Sequence, residues 1–170
     1  MTDRTGLITR VIDQGVPAYL QVVRGIEALT PLFDLSVRRY LANIFWKGGM
    51  VKLSSWMSTV MLFTMVYDVP VLPPEVAAYL STTIELGGSF LLAIGLAGRW
   101  AALSLFGLNI VAALSYGQLS EAALQEAFYW AVLLLYVVLH GPGLISVDAL
   151  LDRVYRRRYA MSRADAAVSP

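Results

Sequence analysis

Long apolar runs separated by short polar segments dominate the second half of the chain and predict membrane-spanning helices. The runs cover residues 76–97, 101–116 and 128–140. The hydrocarbon core of a bilayer is about 30 Å thick, which a helix of roughly 20 apolar residues can cross. We therefore expect three spans here, with glycine-containing turns or polar loops between them.

Residues 31–53 form a less apolar stretch that we also interpret as a span. Charged side chains of a spanning helix can face the protein interior or reach toward the interface. Gly48 and Gly49 predict a close approach of another helix. The expected fold class is therefore all-α, an integral membrane four-helix bundle. The apolar and aromatic positions that support this first span are Leu35, Leu41, Ile44, Phe45 and Trp46.

Amphipathic segments flank the four predicted spans. Residues 7–29 and 146–160 place apolar side chains at helical spacing beside arginines, which predicts interfacial helices at both ends of the chain. The whole chain, residues 1–170, is expected to form one domain. Residues 162–170 are expected to be a disordered tail.

The basic residues predict that both termini face the cytoplasm, an N-in/C-in orientation. Lys and Arg are enriched in cytoplasmic loops of membrane proteins. The two connections that then lie on the opposite side, residues 54–75 and 117–127, hold no Lys or Arg. The first connection has an apolar part too short to span the membrane, and the second is expected to be a polar loop.

Composition supports a membrane protein and excludes several functions. Charged residues make up 15% of the chain and hydrophobic residues 58%, whereas a soluble domain carries about 25% charged residues. A net charge of +1 provides no basic surface for nucleic acid. The chain has no cysteine and one histidine, so we expect no iron–sulfur cluster, no haem held by two histidines and no metal site. The lipid bilayer is the first expected partner.

Glu85 is an acid near the middle of an otherwise apolar span. An ionisable group at this depth is costly and generally has a partner or a function. With a rise of about 1.5 Å per residue, comparing antiparallel spans places polar residues of all four in one layer. On the first span Arg39, Asn43 and Lys47 share a face at spacing i, i+4, i+8. The layer comprises Arg39, Asn43, Glu85, Asn109, Tyr136 and His140.

Two interpretations of this layer stay open. Polar residues in a membrane protein often only hydrogen-bond helices together, so a pair of Arg39 and Glu85 could be architectural. Alternatively, Glu85, Arg39 and His140 could transfer protons as catalytic groups at a bound quinone. The residues expected to line such a cofactor site are Asn43, Lys47, Lys52, Asn109, Tyr136 and Trp46.

Several short motifs resemble those of the DoxX family of membrane proteins. Residues 39–53, RYLANIFWKGGMVKL, are similar to the first-helix signature of that family. Residues 85–88, ELGG, with Ile94, Gly95, Leu96 and Arg99, look like its second helix and turn, and residues 141–148 resemble its C-terminal signature. Residues 69–80 further resemble the DoxX branch found in bacterial gene clusters for metal-binding modified peptides.

The resemblance implies a bacterial inner-membrane protein of four helices with a link to quinone-dependent redox chemistry. Related proteins form the membrane part of a thiosulfate:quinone oxidoreductase. The arginine, lysine and glutamate of the family correspond to Arg39, Lys52 and Glu85. Electrons from a sulfur donor would then need a partner subunit, because this chain has no cysteine. We therefore expect a redox subunit with a partner protein or a second copy; the alternative is a non-catalytic scaffold that recruits partner proteins.

Overall fold

The computed structural model describes residues 16–67, 72–116 and 119–168, with side chains as far as residue 158. Two compact units, residues 1–33 and 34–170, are each considered by themselves. In the first unit, residues 16–27 are helical and are named α1. This agrees with the helix predicted over 7–29, whose first part lies outside the described residues.

Helices make up nearly all of the remaining described chain. Two of the breaks between consecutive helices are short, residue 55 alone and residues 95–97. The helices are α2 (Thr30–Ser54), α3 (Trp56–Met65), α4 (Pro74–Ile94), α5 (Gly98–Ser115), α6 (Glu121–His140) and α7 (Val147–Val168).

Three of these helices are long and apolar enough to cross a membrane, namely α4, α5 and α6. They confirm that the three apolar runs are helices of spanning length. Most of each helix is not buried by the protein; in α6 only 17% of the apolar window is buried. Apolar surface on this scale indicates a lipid environment. The helix predicted over 31–53 is α2. Because of its charged residues, it is not among the helices apolar enough to cross a membrane by composition.

One hydrophobic core joins α2, α4, α5 and α6. Small residues in α5 let the helices approach, and leucines from each of the four helices meet at the centre, fully shielded from solvent. The core residues are Val37, Leu41 and Phe45 of α2, Leu92 of α4, Ala101, Ala102 and Leu105 of α5, and Leu134 and Val137 of α6.

Helix α3 packs beside the start of α4 and forms most of the apolar part of the connection 54–75, the part predicted to be too short to span. Phe63 is buried against Ala77 and Ala78 of α4. The hydroxyl of Thr59 donates a hydrogen bond of 2.8 Å to the backbone oxygen of Lys52. This bond fixes α3 to the end of α2, close to the site described below.

Two boundaries differ from the prediction. The segment 117–127 was expected to be a loop, but α6 begins at Glu121 because Ser120 caps it by accepting a hydrogen bond from the Ala123 amide. Its acids therefore lie in the first two turns of a spanning-length helix. At the other end of the chain, α7 continues to Val168, through residues expected to be disordered. The alanines of that segment favour a helix.

The turn between α4 and α5 is locked by the segment that follows α6. Gly95 ends α4 with a left-handed backbone, φ 71°. The carboxylate of Asp148 accepts hydrogen bonds from the Ala97 and Gly98 amides at 2.8 and 2.9 Å, which caps the start of α5. The Asp148 amide in turn donates to the Gly95 oxygen. The end of the core near α7 is therefore closed by backbone and side-chain hydrogen bonds.

Candidate functional site

Lys52 and Glu85 form an ion pair between α2 and α4. The Nζ of Lys52 donates to Oε1 of Glu85 at 2.5 Å, and the two side chains are only 16% and 12% exposed. Among the residues whose side chains are described, the other ion pair joins Asp152 and Arg156 on the exposed surface of α7. Removing one partner of a buried charge pair leaves the other charge unpaired and strongly destabilises the protein. We therefore expect the loss of either residue to lower stability.

Glycines of α2 make room for the Glu85 side chain. A Cβ added to Gly48 would lie 3.4 Å from Oε2 of Glu85, and one added to Gly49 would lie 2.7 Å from Leu86. The close helix approach predicted for Gly48 and Gly49 is therefore confirmed, and α4 is the helix that approaches. A larger residue at Gly49 would force the Leu86 side chain to shift and would crowd Glu85, whose Cβ would lie 3.3 Å from the added Cβ.

A small cavity of about 100 Å³ adjoins the ion pair. Two buried polar atoms of its lining residues, Oε2 of Glu85 and Oγ of Ser81, have no hydrogen-bond partner. Buried polar atoms are nearly always paired, so two unpaired atoms on residues that line a cavity favour a bound water or ligand group nearby. The remaining wall is mostly apolar and comes from α3, α4 and α5: Phe63, Leu72, Ala77, Leu80, Leu108, Val111 and Ala112.

Tyr67 also lines the cavity and supplies a hydroxyl close to the ion pair. Its ring stacks on Phe63 and meets Tyr116 edge to face, and the two tyrosine backbones form an isolated bridge. Burial raises the pKa of Tyr67, and the negative charge of Glu85 and the neighbouring Tyr116 raise it further. Tyr67 is therefore a neutral hydrogen-bond donor at physiological pH.

A second polar cluster lies at the opposite end of the core, near α7. Arg38 is 1% exposed and donates to the backbone oxygen of Ile145. The hydroxyl of Tyr136 donates to Oδ1 of Asp34 at 2.7 Å. Arg38 contacts the Gly95 turn, ten residues along α4 from Glu85, so the two clusters are about 15 Å apart. Arg38 holds the segment after α6 through the Ile145 oxygen, while its Nε and Nη1 are buried without a hydrogen-bond partner among the described residues.

The family model for DoxX matches residues 33–118, about half of the chain. The chain belongs to the DoxX family. The matched region of this DoxX protein runs from α2 to the end of α5 and contains Lys52, Ser81 and Glu85. The resemblance of residues 141–148 lies outside the match, and the assignment to a branch associated with metal-binding peptides stays a prediction. Neither the curated proteins nor the solved structures include a significant match.

The expected pairing of Glu85 with Arg39 is wrong in this DoxX protein. The carboxylate bonds to Lys52, and Arg39 lies exposed on the outer face of α2. Asn43, Lys47 and Trp46 are exposed on that side as well. The physical reason is helix periodicity: Lys52 follows Leu41 and Phe45 along the buried face of α2, whereas Arg39 is turned away from it.

The single predicted layer is also divided in the DoxX structure. Asn109 is buried, but its amide donates to the Ala127 oxygen at 2.8 Å and so links α5 to α6. His140 is exposed at the end of α6, stacked on Tyr136 with ring centroids 4.4 Å apart. Neither residue belongs to the cavity beside Glu85. The proton-transfer and cofactor roles expected for them stay predictions.

Sequence reasoning missed two residues of the cavity in this DoxX protein, Ser81 and Tyr67, and Arg38 of the second polar cluster. Ser81 lies one helical turn before Glu85, on the same face, and this spacing could have identified it. Arg38 shares the buried face of α2 with Leu41 and Phe45. No sequence signal placed Tyr67, because its position depends on how α3 packs.

Proposed function

We propose that this protein is an inner-membrane subunit of a quinone-linked redox system, with the cavity beside Lys52 and Glu85 holding the quinone head group. The observation that carries the proposal is the pair of unsatisfied buried atoms, Oε2 of Glu85 and Oγ of Ser81, at an apolar cavity. Membership of the DoxX family is compatible with this function. The quinone and the redox role are the proposed part.

The size and lining of the cavity support the polar end of a quinone as its ligand, as opposed to a whole lipid. Its volume of about 100 Å³ is below the roughly 300–1,000 Å³ of pockets for drug-sized ligands. Lys52, Tyr67 and Ser81 offer hydrogen-bond donors, which suit carbonyl oxygens, and the apolar walls suit a ring. A bound quinone would supply a reversible acceptor of two electrons and two protons.

The chain's own residues would bind the head group and hold or release protons. Ser81 and Tyr67 would donate hydrogen bonds that orient it. Glu85 would hold or release a proton at Oε2, and Lys52 would balance its charge at Oε1. The apolar walls exclude water, which strengthens each of these polar contacts. Electrons would come from a partner protein, because no cysteine is present.

The membrane architecture proposed for this function has four spanning helices with both termini in the cytoplasm. Its support is the packing of α2, whose Val37, Leu41 and Phe45 share one core with residues of α4, α5 and α6. Two of its charged residues also face inward, since Arg38 is buried and Lys52 is nearly so. The arginines at the start of α7 agree with a cytoplasmic surface.

Ser81→Ala is the variant that tests the ligand most cleanly. The Ser81 hydroxyl has no hydrogen-bond partner among the described residues, so its removal breaks no hydrogen bond to them. We expect the dissociation constant for a short-chain ubiquinone or menaquinone to rise about three- to tenfold, the effect of one lost hydrogen bond. The measurement is equilibrium binding to purified protein in lipid nanodiscs.

Thr83→Ala is the matched control, because Thr83 lies on the same helix but is exposed. It should bind both quinones like the wild type. Equal affinities of the wild type and Ser81→Ala, or no saturable binding of either quinone, would reject the proposal.

A scaffold function is the alternative, and α7 is the observation that favours it. Both its apolar and its basic side chains are exposed, including Leu150, Leu151, Arg156 and Arg157. Such a helix suits a membrane surface or a protein partner. A scaffold predicts that partner association persists in Glu85→Gln and depends on α7, whereas a redox subunit predicts loss of turnover with Glu85→Gln.

A further inference from the structure

The outer face of α2 carries three polar residues that are not paired with any described residue. Arg39, Asn43 and Lys47 follow one another at i, i+4 and i+8, and all three are exposed. None of them makes a hydrogen bond or an ion pair with another described residue. Exposed polar residues are ordinary on a soluble protein, but this helix lies among membrane spans.

Packing places this stripe at membrane depth. Leu41 and Phe45, on the buried face of α2 between Arg39 and Lys47, share a core with Leu92 of α4 and Leu134 of α6. Asn43 is the fourteenth of the 25 residues of α2. Arg and Lys can extend toward the interface, but the short Asn43 side chain cannot. Polar groups that face hydrocarbon without a partner are costly, so something covers this face.

A groove beside the stripe has the shape of a helix-docking site. It lies between α2 and α4 and has a volume of about 540 Å³. Its small residues, Ala42, Ser89 and Ala93, would let another backbone come close, and Ser89 and Ala93 have the i, i+4 spacing typical of packed membrane helices. The larger lining residues are Arg39, Tyr40, Asn43, Trp46 and Phe90.

We propose that this groove receives a membrane-spanning helix of another protein that carries carboxylates facing Arg39 and Lys47. The two basic residues are eight positions apart, about 12 Å along the helix, so acids at a similar spacing would pair with both. Asn43 would hydrogen-bond between them. The inference depends on α2 crossing the membrane and not on what the Lys52–Glu85 cavity binds.

Two other occupants are excluded, a second copy of this chain by its charge and an anionic lipid headgroup by its depth. A second copy packed through the same face would bring Arg39 and Lys47 against their own counterparts. Among α4, α5 and α6, the exposed acids are Glu75, Glu121 and Glu126, all within the first two turns of a helix. Anionic lipid headgroups lie at the interface and do not reach the level of Asn43.

The experiment uses a synthetic spanning helix of leucine and alanine with two glutamates eight residues apart. A matched peptide carries glutamine at both positions. Fluorescence energy transfer between labelled peptide and labelled protein in vesicles of neutral lipid measures the affinity. We expect the glutamate peptide to bind about tenfold or more tightly than the glutamine peptide, through interhelical polar contacts. The difference should vanish in the Arg39→Gln/Lys47→Gln protein and be restored in Arg39→Lys/Lys47→Arg.

Arg157→Gln, on the exposed part of α7, is the control and should bind the glutamate peptide like the wild type. Equal binding of the two peptides would overturn the proposal. An Asn43→Cys variant adds a second test, because its cysteine is the only one in the chain. Efficient oxidation to a disulfide-linked dimer in the membrane would show a self-interface and would also overturn it. Quinone binding by Arg39→Gln/Lys47→Gln should be unchanged, which separates this test from that of the proposed function.

Discussion

Lys52→Met is expected to lower the free energy of unfolding by about 3–5 kcal/mol, the cost of leaving one member of a buried ion pair alone. Glu85 has no other described hydrogen-bond partner for its charge, since Oε2 is already unpaired. The substitution removes the ammonium group of Lys52, the only positive charge described in contact with Glu85. Unfolding of the purified protein in mixed detergent micelles, followed by circular dichroism, measures the loss.

Adding Glu85→Leu to Lys52→Met should recover most of that stability. Replacing both members of a buried pair with apolar residues of similar size is often neutral or stabilising. Lys47→Met is the matched control, since Lys47 lies on the same helix but is exposed and unpaired. Surface substitutions ordinarily scatter within about 1 kcal/mol. If the unfolding free energies of the Lys52→Met and Lys47→Met proteins differ by no more than that, the Lys52–Glu85 pair does not stabilise the fold.

Gly95→Ala is expected to be the second most damaging change, at about 2–5 kcal/mol from backbone strain and overpacking together. Gly95 has φ 71°, a backbone conformation that disfavours side chains, and an added Cβ would overlap the guanidinium of Arg38. Moving Arg38 would break its bond to the Ile145 oxygen, which holds the segment after α6. Thermal unfolding and protease cleavage of that segment measure the effect.

Gly107→Ala provides the control for this change. A Cβ at Gly107 meets nothing within 4 Å, and the residue lies inside α5. Because alanine favours helix, Gly107→Ala should raise stability by about 0.5–1 kcal/mol. Equal effects of the two glycine variants would mean that Arg38 does not fix the Gly95 turn.

The helices could be predicted from the sequence because hydrophobic length and turn residues are local signals. The predicted spans 76–97 and 101–116 lie within three residues of α4 and α5 at each end. The start of the last span was predicted at residue 128, later than the observed start of α6 at Glu121, because Glu121 and Glu126 resemble loop residues. Only the Ser120 cap, a single residue, indicates that they begin a helix.

The site was predicted in part, because depth along a helix can be read from sequence but rotation about its axis is harder to fix. Glu85 was placed correctly as a buried acid. Lys52 was singled out only through the family resemblance, and its pairing with Glu85 was not predicted. Arg39 was chosen over Arg38, although a difference of one residue turns a side chain by about 100°. The buried face of Val37, Leu41 and Phe45 contains the information that resolves this choice.

The most direct test of the account is to map where a quinone binds. A photoreactive short-chain quinone, activated in vesicles containing the wild-type protein, would label residues that are then identified by peptide mass spectrometry. The account predicts labels on the cavity residues Phe63, Tyr67 and Leu108, suppressed by excess unlabelled quinone. Suppressible labels confined to the α2–α4 groove around Tyr40 and Trp46 would contradict it.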